Sequence, residues 1–114
     1  MGTKMRPYRK PTNEDILTRQ IRDVLNHVGY FHYKAWQGPM SRAGVSDIIG
    51  LTKPGGRFFA IEVKAPKGKA SPAQLNFLAD VKLCGGLVVI AKSVEDVIEG
   101  LGLQDKFVEY RDKT

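Results

Sequence analysis

The apolar positions change period along the chain, and each change marks an element. Leu17, Ile21, Val24, Leu25 and Val28 recur at helical spacing, which predicts a first helix capped by Thr12 and ended by Gly29. Glu14 and Asp15 sit in its first turn, where negative charge suits the helix dipole. Tyr30–Trp36 is aromatic with alternating side chains and reads as a strand. Gln37 to Ser46 holds Gly38, Pro39 and Gly44 and reads as a loop. A second strand follows at Asp47–Thr52 and a third at Phe58–Lys64. The turn signal Lys53-Pro54-Gly55-Gly56-Arg57 joins the two as a hairpin. After a basic loop, Ser71-Pro72 opens a helix that ends near Cys84, before Gly85-Gly86. Leu87–Ala91 is a continuous apolar run, expected of a strand buried on both faces. Ser93 and Asp96 cap a last helix through about Leu101. The tail from Gly102 has no clear pattern, and no repeat is visible.

The order α-β-β-β-α-β-α, with a hairpin and then a helix crossing to a buried strand, predicts an α/β fold: a mixed central sheet flanked by helices. At 114 residues the chain is expected to form one domain over 12–114 behind a basic N-terminal arm over 1–11. That length excludes a multidomain machine. A 42% hydrophobic content against 26% charged supports a core and argues against disorder. One cysteine excludes an internal disulfide framework and any multi-cysteine zinc site, and suggests a reducing compartment. The opening MGTKMRPYRK has no apolar signal segment, and Leu87–Ala91 is too short to span a membrane. A soluble intracellular protein is expected.

Charge then narrows the class of partner. The net charge is +6, with 13 basic and 5 acidic side chains in residues 1–69. Such a surface favours a polyanion, most often nucleic acid, although solubility alone is the plainer explanation.

The third strand carries the candidate chemistry. Alternation puts Phe59, Ile61 and Val63 on one face and Glu62 and Lys64 on the other. A charged pair at the end of an apolar strand costs stability unless both members are satisfied. Taken alone, it reads as a partly exposed ion pair at a strand end. The hairpin brings Asp47 opposite that end, so two carboxylates would meet across the ladder at ~5 Å. That is unfavourable unless a cation lies between them. Hard oxygen ligands suit Mg²⁺ or Mn²⁺, and the Val63 backbone carbonyl could complete the set. The plainer alternative is that Asp47 caps a turn. Glu14 lies on the apolar stripe of the first helix, as a cap or as a site residue. Gln74 shares a face with Phe77, Leu78 and Val81. Its amide could bond Lys64 or a water in the site, or satisfy local backbone donors.

Together, Asp47, Glu62-x-Lys64, Gln74 and Glu14 resemble the PD-(D/E)xK nuclease superfamily. Four segments, Gly44-Val45-Ser46-Asp47-Ile48-Ile49-Gly50, Phe59-Ala60-Ile61-Glu62-Val63-Lys64-Ala65, Lys69-Ala70-Ser71-Pro72-Ala73-Gln74 and Gly85-Gly86-Leu87-Val88-Val89, resemble a stand-alone VRR-NUC domain of the kind found in phages and prophages. The resemblance runs from about Glu14 to Leu101. The chain departs from it at Ser46, where the superfamily places proline. The resemblance implies a restriction-endonuclease-like core and metal-dependent phosphodiester hydrolysis. Asp47 and Glu62 would bind Mg²⁺, with Mn²⁺ substituting, together with the Val63 carbonyl and, directly or through water, Glu14. Lys64 would position the attacking water or stabilise developing charge, and Gln74 would orient Lys64 or that water.

The resemblance further implies branched DNA such as Holliday junctions as substrate. It implies a homodimer making paired cuts, in the cytoplasm of a bacterial or phage-infected cell. Arg42, Lys53, Arg57, Lys67, Lys69, Arg9 and Lys10 would grip the DNA. No base-reading motif is present, which favours recognition of structure over sequence. The competing expectations are a non-catalytic nucleic-acid-binding module and a sequence-specific restriction-type nuclease. His27 and His32 lack the spacing of a zinc site. Cys84 is expected to be a small buried residue. Trp36, Tyr30 and Tyr33 could stack on unpaired bases, but are expected to pack in or beside the core. Neither glycine pair belongs to a phosphate loop.

Overall fold

The computed structural model describes residues 9–106. Residues 1–8 of the expected arm and 107–114 of the tail lie outside the described residues. The first helix, α1 (Asn13–His27), is held at its start by a capping box. Asp15 N–H donates to Thr12 Oγ1 at 3.1 Å, and Thr12 N–H donates to the Asp15 carboxylate at 2.9 Å. Those Thr12 bonds, aided by Arg9, hold the Asp15 carboxyl below its usual range.

Four strands form one sheet in the order β1 (Phe31–Lys34), β2 (Ile48–Leu51), β3 (Phe58–Val63) and β4 (Leu87–Ala91). The first two pairings are antiparallel and β3–β4 is parallel, so the sheet is mixed as expected. Helix α2 (Pro72–Leu83) makes the crossover, and α3 (Val94–Gly100) follows β4. The strands are shorter than their apolar patterns predicted, because the flanking backbone groups have other partners. Tyr30 N–H closes the end of α1 on the Leu25 carbonyl at 2.9 Å, and Thr52 N–H closes the hairpin turn on the Arg57 carbonyl at 2.9 Å.

Strand alternation decides the layers. Phe59, Ile61 and Val63 join Ile48, Val89 and Ala91 in a core covered by Ile21, Val24 and Leu25 of α1 and Val97 and Ile98 of α3. Leu101 and Leu103 belong to the same core, so the patternless start of the tail is docked. Helix α2 packs against β3 and β4 with Leu78 buried, while Glu62 points to that side. The sheet is therefore covered unequally: α2 covers β3 and β4, and the same face of β1 and β2 stays open.

Candidate active site

The antiparallel register pairs Ile48 with Ile61, so Asp47, one step earlier, stands opposite Glu62. Asp47 does more than cap a turn. Its Oδ2 accepts the Val63 N–H at 2.7 Å, its Oδ1 accepts from Gln37 Nε2 at 3.3 Å, and its backbone carbonyl accepts the Ala35 N–H at 2.9 Å. Two contacts thus hold the carboxylate and a third holds its backbone. Val63 N–H turns toward Asp47 while Lys64 N–H bonds the Ala91 carbonyl of β4. In extended backbone a residue's N–H and C=O point the same way, so the Val63 carbonyl also faces the Asp47 side.

Glu62 is 1% exposed. Its Oε2 accepts from Gln74 Nε2 at 3.0 Å and lies 3.3 Å from Lys64 Nζ. Its Oε1 is buried and has no partner. Burial pushes the Glu62 carboxyl up to about 7; the Asp47 charge adds to the rise and Lys64 opposes it. A buried carboxylate beside a second one, with one oxygen unsatisfied, is an unfavourable arrangement that either a shared proton or a cation would relieve.

Gln74 satisfies a local backbone donor, as one reading of the sequence had it, but its amide bonds Glu62 rather than Lys64. Its Oε1 accepts the Ser71 N–H at 2.8 Å, completing the α2 capping box, while its Nε2 reaches Glu62. Glu14 bridges elements: its Oε2 accepts the Ala65 N–H at 3.0 Å, tying the start of α1 to the chain just after β3. The structure therefore gathers Asp47, Glu62, Lys64 and Gln74, with Glu14 anchored alongside at Ala65.

A divalent metal fits this donor set. Among the described residues no group of three or more His, Cys, Asp or Glu side chains converges to hold one. Mg²⁺, however, is commonly bound by one or two carboxylates with water and substrate oxygens completing its shell. Asp47, Glu62 through its unpartnered Oε1, and the Val63 carbonyl are oxygen donors of that kind.

The cations expected to grip DNA differ in their freedom. Lys53, Lys67 and Lys69 are exposed. Arg42 pairs with Asp80 at 2.6 Å and stacks over Phe77, Arg57 donates to the Gly85 carbonyl at 2.6 Å, and Arg9 pairs with Asp15 at 3.1 Å. Lys10 is exposed.

Three expectations need correction. Leu87–Ala91 is not buried on both faces: β4 lies at the edge of the sheet, with Ile90 41% exposed. Cys84 is exposed, because α2 ends there, at the edge of its packing on the sheet. Trp36 and Tyr33 are 63% and 49% exposed, and only Tyr30 is buried: alternation assigns a face, but nothing covers this one. One contact escaped the sequence reading, and one residue it named proved to be buried. Gln37 braces Asp47 and the Val45 carbonyl, signalled only by its place just past the strand opposite Asp47. Ser46, where the superfamily has proline, is fully buried with its Oγ unpartnered.

Among the described residues no helix is long and apolar enough to cross a membrane. Comparison with curated proteins gave no match. A solved structure described as a VRR_NUC domain shares the fold, with a TM-score of 0.64 and 23% identity over 86% of this chain and 96% of that one. The VRR-NUC domain family profile matches residues 9–95, a span that includes Glu14, Asp47, Glu62, Lys64 and Gln74. The chain therefore belongs to the VRR-NUC domain family of nucleases.

Proposed function

We propose that the protein is a Mg²⁺-dependent endonuclease that hydrolyses phosphodiester bonds in branched DNA, such as Holliday junctions, and acts as a homodimer. The observation that carries the metal dependence is the buried, unpartnered Oε1 of Glu62 beside Asp47. Asp47, Glu62 and the Val63 carbonyl would hold Mg²⁺, with Mn²⁺ substituting and Glu14 bracing the adjoining backbone. When bound, the ion supplies charge neutralisation at the scissile phosphate and a lowered pKa for the attacking water.

The chain's own residues do the rest. In the hydrolysis a water oxygen bonds to phosphorus, one ester P–O bond breaks, and a proton passes to the leaving oxygen. Lys64 lies at the mouth of the pair, its side chain 15% exposed and its Nζ held by Glu62. From there it can orient the water or offset charge on the phosphoryl oxygens. Gln74 fixes the Glu62 carboxylate, and Gln37 fixes Asp47.

Selectivity for branched DNA is supported by exposed aromatics beside the site. Trp36 adjoins Gln37, and bases freed from pairing can stack on such a ring. The dimer is supported by the uncovered sheet face, where Phe31, Tyr33, Leu51 and Phe58 are all exposed. A symmetric junction needs paired cuts, and each chain carries one site. The cytoplasm of a bacterial or phage-infected cell is the matching setting.

The decisive experiment incubates labelled linear, flapped, splayed and four-way DNA with the protein, with Mg²⁺ or with chelator, and maps the cuts. Asp47→Asn and Lys64→Ala are expected to abolish cutting while DNA binding persists. Wild-type cleavage rates in both variants would overturn the site. Binding without cleavage would mark a non-catalytic module, and discrete fragments from plain duplex would mark a restriction-type enzyme.

A further inference from the structure

A second concentration of positive charge lies on the α1 side of the sheet, away from Glu62. A cleft of about 430 Å³ runs along α1 and is lined by Arg9, Arg19, Arg22 and Lys34, with Asp15 and Asp23. Arg19 and Arg22 lie three residues apart and share a helix face. Asp15 already engages Arg9. Arg19 and Lys34 are exposed and form no ion pair among the described residues. Arg22 is half-buried, and its Nε is buried without an acceptor. A desolvated guanidinium N–H costs free energy until an acceptor reaches it. No described residue supplies one.

The position of this cleft gives it a use. Lys34 ends β1 opposite Ile48, and the next residue, Ala35, holds the Asp47 backbone carbonyl. The cleft therefore opens at the same end of the sheet as the carboxylates, on the other face. A strand crossing that end would meet both.

We propose that Arg19, Arg22 and Lys34 form a phosphate-binding cleft that grips the DNA backbone at a phosphate other than the scissile one. Guanidinium groups suit this task, since their fork of donors matches two phosphate oxygens at once. The inference rests on DNA being the substrate, and it adds a contact that sets register on the strand without taking part in the chemistry.

The test measures binding of labelled four-way and single-stranded DNA across a salt series, in chelator to prevent cutting. It compares the wild type with Arg19→Ala, Lys34→Ala and Arg22→Gln, with Lys82→Ala on α2 as the control. Each cleft variant is expected to weaken binding several-fold. Loss of a phosphate contact should lower the log–log salt slope by about 0.9 on duplex and about 0.7 on single strands. Lys82→Ala should leave both unchanged. Lys82→Ala should also cleave saturating DNA with Mg²⁺ at the wild-type rate. Arg19 and Lys34 are exposed, so their variants carry the test even if Arg22→Gln lowers the melting temperature.

Unchanged affinity and slope in Arg19→Ala and Lys34→Ala, with the wild type binding normally, would overturn the cleft and leave the nuclease reading standing. A wild type that neither binds nor cuts any DNA would overturn both. If inorganic phosphate binds the cleft but the variants bind DNA normally, the site takes a free phosphate and the DNA assignment fails.

Discussion

Glu62 is pulled two ways by its surroundings. Packing under α2 removes water from its carboxylate, and Asp47 adds a second negative charge, while Lys64 and Gln74 together answer only one of its oxygens. Its carboxyl moves from 4.5 in the unfolded chain to about 7 in the folded one, so the folded state holds the proton more tightly. The stabilisation from this group is complete below pH 4.5 and lost as the pH rises through 7, by roughly 3 kcal/mol at most. In chelator, melting temperature should fall between pH 5 and pH 8 more in the wild type than in Glu62→Gln. Added Mg²⁺ should raise it at pH 8 in the wild type but not in Glu62→Gln, which should not cleave. Equal pH profiles for the two proteins would remove Glu62 as the strained group. The two bonds of Gln74 can be separated as well. Gln74→Glu keeps the acceptor that caps α2 but loses the donor to Glu62, so it should impair cleavage while the capping acceptor is retained. Gln74→Ala loses both and should cost about 1 kcal/mol in urea denaturation.

The elements meet at a few tight points that position those side chains. Gly44 has a φ of +82°, and a Cβ there would lie 2.2 Å from the Ala73 carbonyl oxygen. The loop leading to Asp47 thus rests directly on the first turn of α2, which carries Gln74. Gly44→Ala should destabilise by at least about 1 kcal/mol and reduce cleavage by spreading the Asp47 and Gln74 elements apart. Gly55 also has a positive φ, +103°, but a Cβ there meets nothing within 4 Å. Gly55→Ala should carry a similar backbone strain and leave cleavage per folded molecule unchanged. Urea midpoints with single-turnover cleavage rates would separate the two cases.

For the whole molecule, unequal covering of the sheet has the largest consequence. α1 and α3 cover one face, where Ile48, Phe59 and Ile61 are fully buried, whereas α2 leaves Phe31 at 65% and Tyr33 at 49% exposure on the other. An uncovered aromatic face on an edge strand is a site of association. Sedimentation should show twice the chain mass for the wild type and a monomer for Tyr33→Glu, with melting behaviour retained because neither Phe31 nor Tyr33 belongs to the core. A wild-type monomer at tens of micromolar would assign the face to another partner.

Local chemistry written into the chain was enough for the elements and their order. The caps at Thr12, Ser71 and Ser93, the hairpin turn after Thr52 and the run Leu87–Ala91 all stand where side-chain period and turn residues placed them. The facing of Asp47 and Glu62 was also legible, because a hairpin couples register to sequence distance. What the sequence could not decide was coverage and partnership. Period states which side of a strand Tyr33 and Trp36 occupy, but not that α2 stops short of them. It places Gln74 toward the sheet, but not that one amide caps a helix and holds Glu62 together. Nor can it show that Glu62 Oε1 and Arg22 Nε end up buried without partners, since an unsatisfied group is a property of everything packed around it. Those two atoms carry the metal and phosphate proposals, and long-range packing alone created them.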